Sequence, residues 1–253
     1  MSIRYEDVAR MIDHSLLHPT MTDAELEEGC RTAVEYGVAS VCIKPYYVRR
    51  AAELLAGTGV AVGTVVGFPH GSSTTEVKRF ETAVACREGA SEIDMVICIG
   101  KALSGDWSYV EKEIRAIVRE AHGRKALVKV IFENDFLTDD SAKRRLCRIC
   151  EAAEADFVKT STGYGFVKAA DGRYSTRGAT EHDIALMRGA CSPKVQVKAA
   201  GGVRDLDALL RARALGAARV GATATRAILD ELKRRLAAGP LEEDGAALSS
   251  GEY

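Results

Sequence analysis

Short runs of β-branched and other apolar residues alternate with longer stretches of helical period along nearly the whole chain. The period-2 and unbroken apolar runs predict strands at 11–16, 38–43, 60–66, 92–97, 126–132, 157–160, 195–199 and 218–221. The 3.6-period stretches between them predict helices at 23–36, 48–56, 75–88, 107–122, 139–153, 180–188, 206–215 and 225–236. Strand–helix units repeated without interruption imply a parallel sheet, and eight of them close a barrel, which removes the edge strands. An open doubly wound sheet is the alternative, but no G-x-G-x-x-G follows the first strand. The expected architecture is therefore α/β, a single-domain (β/α)8 TIM barrel over residues 1–238. The stretch 239–253, rich in Gly, Ser, Ala and Glu, is expected to be a flexible tail.

Strands covered on both faces should be almost wholly apolar, and several here are not. Alternation assigns each exception a direction. In Glu92-Ile-Asp-Met-Val-Ile-Cys98, Ile93, Met95 and Ile97 share the face that suits the outer helices, and Asp94 points to the axis. The same parity turns Lys129, Lys159, Gln196 and Lys198 inward, while Val128, Val130, Val158, Val195 and Val197 point out. Asp13 and Ser15 also have inward parity. A pair such as Asp94 with Lys129 reads as an ion pair that offsets itself. Three lysines facing one aspartate exceed that, and a cation excess in an enclosed site either binds an anion or lowers a lysine pKa.

Composition narrows the classes. Hydrophobic residues make up 47% and charged residues 28%, an ordinary globular balance, and the formal net charge of −1 with no long basic run argues against nucleic-acid binding. No apolar run approaches a membrane span, and the N-terminus lacks an apolar signal core, so a cytoplasmic protein is expected. Among seven cysteines, Cys42 and Cys98 sit in strand-like runs. Cys147 and Cys150 form a C-x-x-C inside a helical pattern with no second ligand pair, which reads as helix-face thiols rather than a metal or redox site.

Lys159 and Lys198 fall at the C-terminal ends of their strands, where barrel active sites lie. An amine attacks a carbonyl only when neutral, and holding a lysine neutral near pH 7 costs about 4 kcal/mol. A neighbouring cation and desolvation are the two means. Lys198 on the adjacent strand can be the cation, Lys159 the nucleophile, and Asp94 a proton carrier through water. Gly201-Gly202 after the seventh strand and Gly221-Ala-Thr223 after the eighth stand where barrels commonly bind phosphate through bare backbone N–H groups.

At these residues the chain resembles the deoxyribose-phosphate aldolase family. The resemblance runs from about residue 10 to 232 and rests on Phe157-Val-Lys-Thr-Ser-Thr-Gly163, Val197-Lys-Ala-Ala-Gly-Gly-Val-Arg204 and Glu92-Ile-Asp-Met-Val-Ile97. Ile12-Asp-His-Ser-Leu-Leu17, Ser40-Val-Cys-Ile-Lys-Pro45 and Gly67-Phe-Pro-His-Gly71 also fit. It implies reversible cleavage of 2-deoxy-D-ribose 5-phosphate to acetaldehyde and D-glyceraldehyde 3-phosphate by a class I, Schiff-base route, with no metal and no organic cofactor. It also implies a homodimer or larger homo-oligomer. By motif, Lys159 looks like the Schiff-base lysine, Lys198 the pKa-perturbing lysine, Asp94 the proton-transfer residue, and Gly201, Gly202 and Gly221 the phosphate cradle. Thr162, Thr223 and Lys129 complete the expected contacts to the phosphorylated sugar or aldehyde.

The chain departs from the family at four places. Cys98 stands where Asn is common, Glu133-Asn134-Asp135 differs after the fifth strand, and Gly221-Ala222-Thr223 replaces Gly-x-Ser. A long loop at 164–178 replaces a short turn, and its Lys168, Arg173 and Arg177 are read as solvated or as extra anion contacts. A Schiff-base aldolase for another sugar, a non-catalytic phosphate-ligand barrel, and a phosphosugar isomerase using Asp94 or Glu133 are the alternatives. His14 and His70 are read as structural groups, Trp107 as a packing anchor at a helix start, and Tyr253 as a frayed end.

Overall fold

In the computed structural model, which describes residues 2–242, eight parallel strands close on themselves. They are β1 (Ile12–Leu16), β2 (Ser40–Ile43), β3 (Ala61–Val66), β4 (Glu92–Val96), β5 (Leu127–Ile131), β6 (Phe157–Lys159), β7 (Gln196–Ala200) and β8 (Ala217–Ala222). Neighbours in sequence are neighbours in the barrel, and β8 pairs with β1. The outer ring holds α1 (Asp23–Tyr36), α2 (Val48–Leu54), α3 (Thr75–Glu88), α4 (Trp107–His122), α5 (Asp140–Ala152), α6 (Glu181–Ala190), α7 (Leu206–Ala214) and α8 (Thr225–Ala238). All eight expected strand–helix units are present, displaced at their ends by two residues at most.

Helix ends follow local chemistry. Thr22 and Glu25 form a reciprocal capping box at the start of α1, and Gly37 ends that helix at φ 62°, a conformation costly for other residues. Asp106, Asp139, Thr180 and Asp205 accept first-turn N–H groups of α4, α5, α6 and α7. Trp107 opens α4 as expected, packed against the core beneath the Arg145 guanidinium.

The strand parity read from sequence is observed. Ile93, Met95, Val128, Val130, Val158 and Val197 are fully buried in one apolar cluster with Ile114, Ile117 and Leu146 of the outer helices. The inward side chains are charged instead. Gln196, of the same parity as Lys198 and paired with Phe157 at the start of β7, is exposed.

Smaller elements escaped the periodicity because each is too short to show one. A helix at Tyr5–Ala9, a helix at Ile99–Leu103 and a hairpin of Val167–Lys168 with Tyr174–Ser175 are present. Leu241–Glu242 pairs antiparallel with Ser2–Ile3, so order extends past the residue 239 expected to begin a flexible tail. The remainder of that stretch, with Tyr253, lies outside the described residues.

A second buried charge pair ties the outer ring to the barrel. Lys78 of α3 and Glu113 of α4 have fully buried side chains with Nζ–Oε1 at 2.7 Å. Lys78 also donates to the Val96 carbonyl at 2.8 Å, and Glu113 Oε2 accepts the Cys98 N–H at 2.8 Å. These bonds fix the C-terminal end of β4, the strand that carries Asp94. Removing one member strands the other charge without water. Glu113→Leu is therefore expected to cost about 3–5 kcal/mol in urea unfolding, and Lys78→Met added to it should recover most of the loss.

Candidate active site

The inward charges meet in one layered network. Register sets its floor: Lys159 is the lateral partner of Lys198, Lys198 of Arg219, and Asp94 of Lys129. Asp94 is fully buried, and its Oδ2 accepts from both Lys159 and Lys198 at 2.7 Å. Its Oδ1 lies 3.1 Å from the Lys129 ammonium, near enough for charge attraction but not aligned as a hydrogen bond. Asp13 takes Lys198 at 2.5 Å and Lys129 at 3.0 Å through Oδ2, and Arg219 through Oδ1. Glu92 takes Lys129 and Arg219, each at 2.5 Å.

The network thus holds four cations and three carboxylates, not the three lysines and one aspartate expected. Asp13 had the right parity. Glu92 and Arg219 went unassigned although parity would have found them, Glu92 two residues before Asp94 and Arg219 two before Gly221. With these counter-ions the excess is one positive charge.

That excess is not shared equally. Lys129 touches three carboxylates and Lys198 two, and these anions outweigh burial, so both ammonium groups are held above the usual lysine range. Lys159 has Asp94 alone. Burial is the largest influence on it, the Lys198 charge acts in the same direction, and Asp94 opposes them; the outcome is a lowered pKa. Desolvation leads and the neighbouring cation assists. The three lysines drive Asp94 well below the usual carboxylate range despite its burial.

The structure changes the reading of several other candidates. Lys129 is completely buried and its ammonium is turned to carboxylates, hydrogen-bonded to Asp13 and Glu92 and 3.1 Å from Asp94 Oδ1. Thr162 is also committed: its hydroxyl donates to Glu133 Oε2 and accepts the Tyr164 N–H at 2.9 Å. Gly221 lies within β8, where a Cβ would come 3.5 Å from Lys198 Cε, so it leaves room for that lysine's stem. Thr223 is exposed just before α8. Gly201 and Gly202 follow β7 directly. Both have left-handed φ, 91° and 88°, and the N–H groups of Gly201, Gly202 and Val203 donate to no group among the described residues.

His14 is buried with Nδ1 2.8 Å from Thr225 Oγ1, and burial lowers its pKa to about 4, consistent with a neutral structural group. His70 is exposed. The apolar wall of the mouth is Leu17, Cys42 and Val65, with Phe68 and Tyr164 edge-to-face over them. Cys42 Sγ lies 3.9 Å from Asp94 Oδ2, and burial pushes its thiol up, so it remains protonated. The arrangement therefore offers a desolvated amine of lowered basicity, an adjacent cation, a carboxylate bonded to both, and backbone N–H groups at 201–203 without a partner among the described residues. This is the equipment for imine formation with a carbonyl compound bearing an anion.

Comparison with known proteins agrees with that chemistry. Residues 8–231 match the DeoC/LacD family aldolase. A deoxyribose-phosphate aldolase of Rhodopirellula baltica is 50% identical over 248 residues, covering 98% of each chain. One from Clostridium perfringens is 47% identical over 89% of this chain and 95% of its own length. Among solved structures, the tetrameric deoxyribose phosphate aldolase of Aeropyrum pernix superposes with a TM-score of 0.80 at 31% identity, over 91% of this chain and 92% of that one. A closed parallel barrel, one buried lysine of lowered basicity among the three within it and similarity along almost its entire length place this chain in the DeoC/LacD aldolase family, as an aldolase.

Proposed function

We propose that the chain reversibly cleaves 2-deoxy-D-ribose 5-phosphate to acetaldehyde and D-glyceraldehyde 3-phosphate through a Schiff base on Lys159. The observation that carries this reading is the asymmetry between two neighbouring lysines: Lys198 keeps two carboxylate partners and its charge, while Lys159 keeps one and loses basicity. The neutral Lys159 amine attacks the open-chain aldehyde carbon. Loss of water gives a protonated imine, and deprotonation of the C3 hydroxyl breaks the C2–C3 bond. Its electron pair moves into the imine as an enamine, which is protonated at C2 and hydrolysed. Asp94, bonded to both amines, is suited to pass protons through water and to orient them. The N–H groups of Gly201, Gly202 and Val203 are suited to the phosphate.

The same chemistry on another aldose is the second reading, because the 164–178 hairpin stands over the mouth. Steady-state rates across phosphorylated and unphosphorylated aldoses separate the two. A cytosolic, homo-oligomeric enzyme fits this function. Seven free thiols suit a reducing compartment, and no helix among the described residues is long and apolar enough to cross a membrane. The Aeropyrum protein is described as a tetramer, and Val77, Phe80 and Leu103 are exposed here. Sedimentation equilibrium should return a multiple of 27.2 kDa; a monomer at micromolar concentration rules that part out.

Borohydride reduction in the presence of acetaldehyde should attach an ethyl group to Lys159, read by peptide mass spectrometry. Lys159→Leu should lose both adduct and turnover, and labelling confined to Lys129 or Lys198 overturns the assignment. The pH profile gives an independent check. Only neutral Lys159 reacts, so kcat/KM falls as pH drops through its lowered pKa. Lys198→Met removes the adjacent positive charge, so that pKa rises and the acid limb moves to higher pH. Below the limb each unit of rise costs about tenfold in rate. An unmoved limb refutes the electrostatic role of Lys198.

A further inference from the structure

Two carboxylates follow β5, and they grip opposite legs of the hairpin that distinguishes this chain from its family pattern. Glu133 takes the outgoing leg. Its Oε2 accepts the Thr162 N–H at 3.2 Å and the Thr162 hydroxyl, and Gly165 packs directly on the carboxyl, where a Cβ would come 2.7 Å from Oε1. Asp135 takes the returning leg. Its Oδ1 accepts the Arg177 N–H at 2.6 Å, and its Oδ2 accepts the Thr176 hydroxyl at 3.0 Å and the Gly178 N–H at 3.1 Å. Both carboxylates are buried, and Glu133 is held at φ 58°, a strained conformation for a non-glycine residue. Such strain persists only where surrounding bonds over-determine it.

The returning leg leads straight to the anion cradle. Ala179 N–H donates to the Gly201 carbonyl at 3.0 Å. Gly178 presses on Gly201 so closely that a Cβ on Gly178 would sit 2.5 Å from the Gly201 oxygen, and one on Gly201 would sit 2.9 Å from Gly178 Cα. On the side of the outgoing leg, the same Gly201 position is 3.7 Å from Gly163 Cα. Gly201 is therefore wedged between the two legs of the hairpin. Its conformation, and with it the aim of the three N–H groups at 201–203, depends on where those legs are held.

We propose that Asp135 is a positioning residue for the substrate's phosphate: by fixing the returning leg against Gly201 it keeps three backbone N–H donors converged on one anion. It touches neither the amine nor the carbonyl carbon. The inference rests on the phosphate-binding part of the proposed function and deepens it, because it makes a carboxylate, itself repelled by phosphate, a determinant of phosphate affinity.

Asp135→Ala removes the acceptor of all three donors on the returning leg, and Asp135→Asn keeps one acceptor and the side-chain shape. KM for 2-deoxyribose 5-phosphate should rise about tenfold or more in Asp135→Ala and by an intermediate factor in Asp135→Asn. In both variants kcat should stay within about threefold of wild type, and KM for unphosphorylated 2-deoxyribose should not move. Inorganic phosphate should bind both variants more weakly by calorimetry. Trypsin should cut faster after Lys168, Arg173 and Arg177, a readout independent of the substrate. Should Asp135→Ala fail to fold, Asp135→Asn carries the same comparison. Equal losses with phosphorylated and unphosphorylated sugar, a collapse in kcat alone, or unchanged phosphate binding would each overturn the proposal. A wild-type protein that binds inorganic phosphate through this device yet does not cleave 2-deoxyribose 5-phosphate refutes the assigned substrate and leaves the role of Asp135 standing.

Discussion

One carboxylate oxygen, Oδ2 of Asp94, accepts from two lysines at the same distance inside a closed barrel, and the site is organised around that shared bond. A buried ammonium is tolerated only when anions offset its lost hydration. Four cations and three carboxylates cannot all be matched singly, so one cation must go short. Arg219 cannot yield its proton, Lys129 is enclosed by three carboxylates, and Lys198 adds Asp13 to its half of Asp94. The deficit falls on Lys159, the lysine at the C-terminal end of β6. The barrel lowers the basicity of one buried amine by distributing anions unevenly among similar groups.

Such a network is costly, and the surroundings are built to hold it. The apolar face of every strand is sealed by the outer helices, so the charges cannot be reached by water from behind. The Lys78–Glu113 pair pins the end of β4 through the Val96 carbonyl and the Cys98 N–H, which keeps Asp94 from moving away from its two lysines.

The rim follows a different logic. There the donors are backbone N–H groups, whose positions are set by loop conformation rather than by side-chain rotamers. Gly178 and Gly201 lie in contact with no room for side chains, and the carboxylates of Glu133 and Asp135 bind the legs on either side of them. A long insertion above a mouth would ordinarily loosen it. In this chain the insertion is tied down by two residues of the preceding loop.

Much of this was legible in the sequence because it is local. Alternation along a strand is a covalent property, so the inward direction of Asp94, Lys129, Lys159 and Lys198 followed from residue order, and the eight repeats implied closure. Helix limits at Asp23–Tyr36, Thr75–Glu88 and Trp107–His122 followed from period. Other features depend on residues far apart in the chain. That Arg219 bonds Asp13 and Glu92, leaving Lys129 saturated and Lys159 short, depends on the register of strands as much as 206 residues apart, and short-range pattern carries no register between distant strands. Likewise, the spacing of Glu133, Asp135 and Gly178 gives no sign that one loop clasps another, since those bonds exist only once the barrel has closed and brought the loops to one rim. Direction along each strand was written in the sequence; which charges share an anion was decided by closure.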